Sequence, residues 1–265
     1  MSEAKKVRSE GWEVGMPSRT WSLLRSVAYL TAAVFVLATL LQLVDQLNLV
    51  HQPPSVPDSA NLVDRVTAQI PYRQAEWPIV AIGGLLLAFG FLMLIGLGLA
   101  LAARIARSDD RRLVLLGTLV ATGTLGAAGQ LILVGSVRAS VDIPYCDCGF
   151  KDQEIVSQVW AEMVVQGGAA LLTDAATLLA ACGVVVAVLL LGGRGMARGW
   201  VALSYVLAAL LVITVLVRYA GIAGDLNGWL TALVTGILVP VWAIWLGRDV
   251  PDRDEMVGTT DLIEQ

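Results

Sequence analysis

Asp174 is the residue whose type and position most invite chemistry. It stands seven residues into the apolar run 168–191. An ionisable group inside a membrane-spanning helix costs about 3 kcal/mol or more unless it is paired, protonated or wetted. At 1.5 Å per residue it lies roughly 10 Å below the end of its run. Gln130, Thr214 and Thr235 fall at comparable depth in three other apolar runs, and Arg138 and Arg218 stand at run ends. Their long side chains can reach down toward a buried carboxylate. Two roles fit this set. Asp174, Gln130, Arg138, Arg218, Thr214 and Thr235 make either a substrate or proton site, or a network of hydrogen bonds that holds helices together.

Cys146-Asp147-Cys148 is the other candidate. A single-residue spacer closes a small ring, so a disulfide between Cys146 and Cys148 is strained and easily reduced. Such a bond pinning its loop is the expected state; bonds to other chains and a soft-metal site are the alternatives. The metal site would draw on His51, the only histidine, beside Cys146 and Cys148. Membrane thiol oxidoreductases need a relay of dithiol pairs, and here one pair is accompanied only by Cys182. A single histidine also removes haem held by two axial histidines. No GxxxxGK[ST], HExxH or GxSxG pattern is present. The sequence therefore implies no cofactor, and an enzyme using Asp174, Glu162 or the cysteines is the third-ranked class.

The elements that must position these groups are membrane helices. The chain has 265 residues, 57% of them apolar and only 15% charged, too greasy a balance for a soluble domain of this size. Its net charge of −4 and lack of a basic face exclude nucleic acid as a partner. Six runs have the roughly 17 to 25 apolar residues that cross a bilayer. They are 27–44, 79–103, 113–137, 168–191, 201–217 and 229–246. Because lipid satisfies no backbone N–H or C=O, each run should be a helix, and none shows the alternation of a barrel strand.

Thirteen of the eighteen Lys and Arg residues fall in the N-terminal segment, the 104–112 turn, the Arg194/Arg198 turn and the tail, which puts both termini in the cytoplasm. Tryptophans at span ends fit an interfacial belt, with Trp21, Trp200, Trp242 and Trp245 inside and Trp77, Trp160 and Trp229 outside. The first span is too long, and too far from the start, for a cleaved signal peptide. Fifteen arginines against three lysines fit a GC-rich bacterial genome.

Two outer loops carry the remaining mass. In the first, Leu62, Val63, Val66 and Ile70 have helical spacing that stops at Pro71. In the second, Ile155, Val156, Val159, Trp160, Met163 and Val164 mark another amphipathic helix, which either breaks at Gly167-Gly168 or runs into span four. Together they predict a cap over the outer end. Gly84/Ala88, Gly96/Ala100 and Thr122/Gly126 predict close packing of spans two and three. Pro240, one turn after Gly236, predicts a kink in span six.

In layout the chain resembles a broad group of uncharacterised bacterial six-span integral membrane proteins. The likeness rests on the helix-bearing loop after span one, the arginine-rich turn Arg104 to Arg112, the short turn Gly192 to Trp200 that opens span five, and the Trp242-Ala243-Ile244-Trp245-Leu246-Gly247-Arg248 close of span six. The Cys146-Asp147-Cys148 triplet departs from that layout. The resemblance implies a bacterial inner-membrane helical bundle and transfers no activity and no site residues.

The sequence thus predicts an all-α polytopic membrane bundle of six transmembrane helices, with short amphipathic helices in two extracytoplasmic loops. Residues 1–26 form a cytoplasmic segment, 27–248 the membrane domain with outer loops 45–78 and 138–167, and 249–265 an acidic cytoplasmic tail. The leading function is a non-enzymatic accessory or sensory bundle. A small secondary transporter or channel using the Asp174 cluster is second; no inverted repeat supports it. The expected partners are the lipid bilayer and another membrane protein or a second copy.

Overall fold

Each apolar run is helical, and each helix outlasts its apolar run. The computed structural model describes residues 17–57, 62–103, 105, 110–141, 152–192, 196–220 and 224–249. They form α1 (Pro17–Gln46), α2 (Leu62–Ala102), α3 (Arg111–Val141), α4 (Asp152–Leu191), α5 (Arg198–Tyr219), α6 (Gly224–Leu233), a π-helical turn (Val234–Leu238) and α7 (Val239–Asp249). Among the described residues, six segments are long and apolar enough to cross a membrane: Leu23–Gln46, Pro71–Ala102, Arg111–Ala139, Trp160–Leu191, Arg198–Tyr219 and Leu226–Asp249. The last joins α6, the π turn and α7 into one span. Leu37, Leu85, Leu131, Leu171, Leu216 and Ile237, one from each span, are 50–61% exposed. Only lipid covers such a belt.

Both expected loop helices are helical: the second runs unbroken into span four, one of its two expected courses, while the first does not stop at Pro71 and is continuous with span two. The 41 residues of α2 and the 40 of α4 each extend about 60 Å at 1.5 Å per residue, twice the hydrocarbon thickness. Pro71 does not stop α2, because it and Pro78 lie two turns apart on one exposed face, away from the bundle. The carbonyls they free are therefore not trapped in the core. Arg73 of α2 donates to both carboxylate oxygens of Glu162 in α4, at 3.0 and 3.1 Å, and so ties the two long helices together.

α1 ends differently. Asn48 adopts φ 49°, a left-handed conformation that asparagine tolerates. The Leu49 and Asn48 N–H groups return to the carbonyls of Val44 and Asp45, at 3.1 and 2.9 Å, as in a Schellman cap. The Tyr72 hydroxyl donates to Asn48 Oδ1 at 2.8 Å and fastens α2 to this cap.

The spans pack in chain order: α1 on α2, α2 on α3, α3 on α4, α4 on α5, α5 on the sixth span, and the sixth span back on α1. The result is a ring. Glycines allow its closest seams. A Cβ on Gly123 would lie 2.7 Å from the Phe91 carbonyl oxygen, and one on Gly126 would lie 2.3 Å from the Phe91 ring. Spans two and three therefore pack closely at Gly84, which faces Val134, and at Gly126, as expected, whereas Gly96 faces Val27 of α1 instead. Gly236 does the same for the closing seam, where an added Cβ would meet Thr39 Cγ2 at 2.7 Å.

Solid packing is concentrated at the end of the ring that carries Pro17 and Asp249. There Leu24, Leu97, Leu101, Leu115, Leu191 and Leu246 are at most 1% exposed. Trp200 and Trp242 belong to this plug, stacked with centroids 6.1 Å apart and 0% and 3% exposed. Trp242 Nε1 donates to Ser204 Oγ at 2.9 Å. These two indoles are core groups, so they do not mark the lipid interface as their positions near span ends suggested. Trp160 and Trp229, 65% and 57% exposed, do face outward.

Candidate ligand cavity and the Asp174 ion pair

Away from the plug, the six spans surround a partly open cavity of about 270 Å³. Its floor is apolar, built from Leu94, Leu119, Val184, Leu207, Val239 and Trp242. Its polar groups gather toward the opposite end: Gln42, Gln130, Gln166, Thr214, Arg218 and Thr231. The lining runs from Gln166 to Val184 on α4, roughly 27 Å at 1.5 Å per residue. It ends on the plug, at Trp242, so among the described residues the ring forms a cup and not a through-pore. Gln42, Gln166, Thr231 and Arg218 are partly exposed, while Leu119, Val184 and Leu207 are buried, which sets the mouth at the polar end.

A void of this size is expensive if empty. Something other than vacuum fills it. Water suits the polar mouth, where partners are available; the apolar floor calls for an apolar occupant.

Helical spacing explains which groups meet inside. On α5, Leu207, Leu211, Thr214 and Arg218 recur every three or four residues and share the face turned into the ring. On span six, Thr231, Thr235, Val239 and Trp242 do the same through the π turn. Thr214, Thr231 and Thr235 each spend the hydroxyl hydrogen on a carbonyl four residues back, at 2.8 Å. Thr235 also meets Thr39 of α1 at 3.0 Å, Oγ1 to Oγ1, which anchors the π turn to the first span. Gln130 is different. It is 6% exposed, lines the cavity, and has no hydrogen-bond partner among the described residues.

Asp174, 4% exposed, accepts a hydrogen bond from Arg218 Nη1 across the α4–α5 seam. Its Oδ2 is buried without a partner. Asp174 flanks the cavity and does not line it; Arg218 belongs to both the ion pair and the lining. Arg138 sits over the Trp77 ring, 5.6 Å from its centroid, on the α2 side of the bundle. The six residues singled out in the sequence thus divide. Gln130, Thr214, Arg218 and Thr235 share the cavity wall, Asp174 adjoins it through Arg218, and Arg138 packs on Trp77.

Cys146 and Cys148 lie outside the described residues, and so do the disulfide and the metal site that depend on them. His51 is partly exposed in the connection after α1. Among the described residues no group of three His, Cys, Asp or Glu could hold a metal ion. Cys182 is a free, exposed thiol on α4.

Several groups were missed by sequence reasoning. Gln42, Gln166, Thr173, Thr177 and Thr231 line the cavity, yet nothing in their local sequence separates them from other polar residues near span ends. Glu76, 8% exposed beside Asp45 and Tyr72, lies three residues before the expected start of span two and so counted as loop. Its signal was the helical register it shares with the apolar residues that follow.

No protein-family model, no curated protein and no solved structure matches this chain. Fold and cavity define its class without them: it is a multi-pass integral membrane protein.

Proposed function

We propose that this protein is a non-enzymatic accessory or sensory bundle that holds an amphipathic guest in its central cup. The single observation that carries this reading is the cavity, apolar at its floor, polar at its mouth and closed below by the leucine and tryptophan plug. That gradient matches a molecule with a polar head and an apolar body lying along the membrane normal. Arginine placement supports a plasma membrane of bacterial type with both termini cytoplasmic, so that the mouth faces outward. The projecting ends of α2 and α4, tied by Arg73 and Glu162, support an outer cap beside that mouth. Span six supports the sensory part, because the π turn and Pro240 interrupt its regular hydrogen bonding where it lines the cavity and touches α1. Local departures of this kind are frequent at functional sites.

The test is purification in polymer nanodiscs, without detergent, followed by mass analysis of retained small molecules. Wild type should carry a guest that Ala180→Phe, which fills the cavity, does not. If both retain the same molecules, the cup is not a binding site.

The same interrupted span favours a second reading, a secondary transporter whose gate is span six and whose polar site is the Asp174–Arg218 pair. It requires solute or proton flux in liposomes that disappears in Asp174→Asn. Equal flux in wild-type, variant and protein-free vesicles removes it.

A further inference from the structure

The hydrogen-bonding inventory of the cup specifies the chemistry of its guest. Resting on the proposed binding function, we infer that the guest is an uncharged lipid whose head presents carbonyl oxygens, and that Gln130 is the residue that recognises them. Thr173, Thr177, Thr214, Thr231 and Thr235 donate to carbonyls of their own helices, so they offer a guest only acceptor oxygens. The hydrogens left for a guest belong to the side-chain amides of Gln130, Gln42 and Gln166 and to the Arg218 guanidinium. Gln166 already gives one to Glu162 Oε1, at 2.7 Å. Gln130 gives none to the protein among the described residues; its amide atoms are not buried without a partner but open into the cavity, where the N–H groups are available to a guest. The donors left free call for acceptor atoms on the head.

Charge decides between a neutral and an anionic acceptor. The positive charge of Arg218 is compensated by Asp174, and that of Arg73 by Glu162. An anionic head would enter a largely apolar cavity whose lining, among the described residues, holds no uncompensated cation, and an unpaired charge in such surroundings is strongly disfavoured. A ketone, quinone or ester carbonyl brings the acceptor without the charge.

Size and access agree. The 270 Å³ available is roughly twice the cavity that takes up a benzene ring, enough for a ring or ester head with a short stretch of chain. A longer tail has an exit. Among the described residues, α5 packs more sparsely on span six than on α4, and Arg218 and Thr231 line the cavity from the two sides of that seam.

The test uses the full-length protein in phosphatidylcholine nanodiscs, titrated with decylubiquinone, dioctanoylglycerol and dioctanoyl phosphatidic acid. Binding and the shift in melting temperature are read for wild type, Gln130→Met and Ala180→Phe. Wild type should bind at least one neutral probe ten times more tightly than phosphatidic acid. Binding of the quinone alone identifies a ring head, and of the glycerol ester alone an acyl head; both support the inference. Gln130→Met should weaken neutral-probe binding at least tenfold while leaving the probe-free melting temperature near that of wild type. If Gln130→Met does not fold, Gln130→Leu, which also lacks the amide donors, carries the same expectation. Phosphatidic acid binding as tightly as the neutral probes, or undiminished neutral binding in the Gln130 variant, overturns it. In that second case, loss of binding in Ala180→Phe shows that the cup itself still binds, so the proposed binding function stands while this inference falls. If wild type binds no probe and retains no guest, the binding function itself falls.

Discussion

Arg218→Met should destabilise the bundle more than Asp174→Asn, although the two residues share one ion pair. The asymmetry follows from burial. Asp174 has a side chain 6% exposed, and one of its oxygens already lacks a partner. Removing the guanidinium leaves that carboxylate without a cation, and breaking a buried pair from one side costs about 3–5 kcal/mol. Arg218 is 33% exposed and occupies the last turn of α5, where a cation meets the negative end of the helix. Without Asp174 its long side chain can still turn to water, so Asp174→Asn should cost only about 1 kcal/mol. In the double variant neither charge is stranded. Its stability should return to within about 1 kcal/mol of wild type, giving a coupling of about 3 kcal/mol between the positions. Reversible unfolding in mixed detergent micelles, followed by circular dichroism at neutral pH, reads all four proteins. Equal penalties for the two single variants, or a double variant as unstable as their sum, would refute this account of the pair.

Gly123→Ala should cost about 1–3 kcal/mol, because its Cβ would meet the Phe91 carbonyl oxygen at 2.7 Å and α2 must move to admit it. Gly117→Ala, with nothing within 4 Å of the new Cβ, should be neutral or stabilising by up to about 1 kcal/mol; the same unfolding assay compares them. Thr39→Val removes the hydroxyl contact to Thr235 and should cost about 0.6–1.7 kcal/mol, with hydrogen exchange rising in span six. Glu162→Gln breaks the link to Arg73, which is 43% exposed, so stability should change by less than about 1 kcal/mol while exchange rises in the projecting turns of α2 and α4.

Much of the fold was legible because hydropathy reports where lipid lies. It does not report where backbone hydrogen bonding ends, and the expected spans two and four were therefore too short. Helices continue into water wherever a partner such as Glu162 steadies them, and Pro71 and Pro78 on an outward face do not stop one. The glycine seam was legible because small residues at helical spacing have little other use in a span. Asp174 and Arg218 stood out by residue type, and counting depth along two helices suffices to bring them within reach. The cup itself was not legible. A void belongs to no residue, being the space that six helices leave when they pack in a ring. Gln42, Gln166 and Thr231 acquire a role only once that ring exists. Trp200 and Trp242 were misplaced for a related reason: an indole at a span end can turn outward to the headgroups or inward to a Ser204 hydroxyl, and local sequence does not distinguish the two.

The order of the ring bears on how the protein is made. Every span after the first has its preceding neighbour already synthesised when it emerges, so five of the six seams join spans consecutive in sequence and need only contacts close in sequence. The sixth seam joins the two ends of the membrane domain and awaits the segment that carries the π turn. Until then α1 presents the Ala28 and Thr39 face to lipid, and the interior of the cup stands open along one whole side. Newly made protein therefore passes through a stage in which membrane lipids have unhindered access to the cavity, and insertion of the final span shuts the wall on whatever has lodged there.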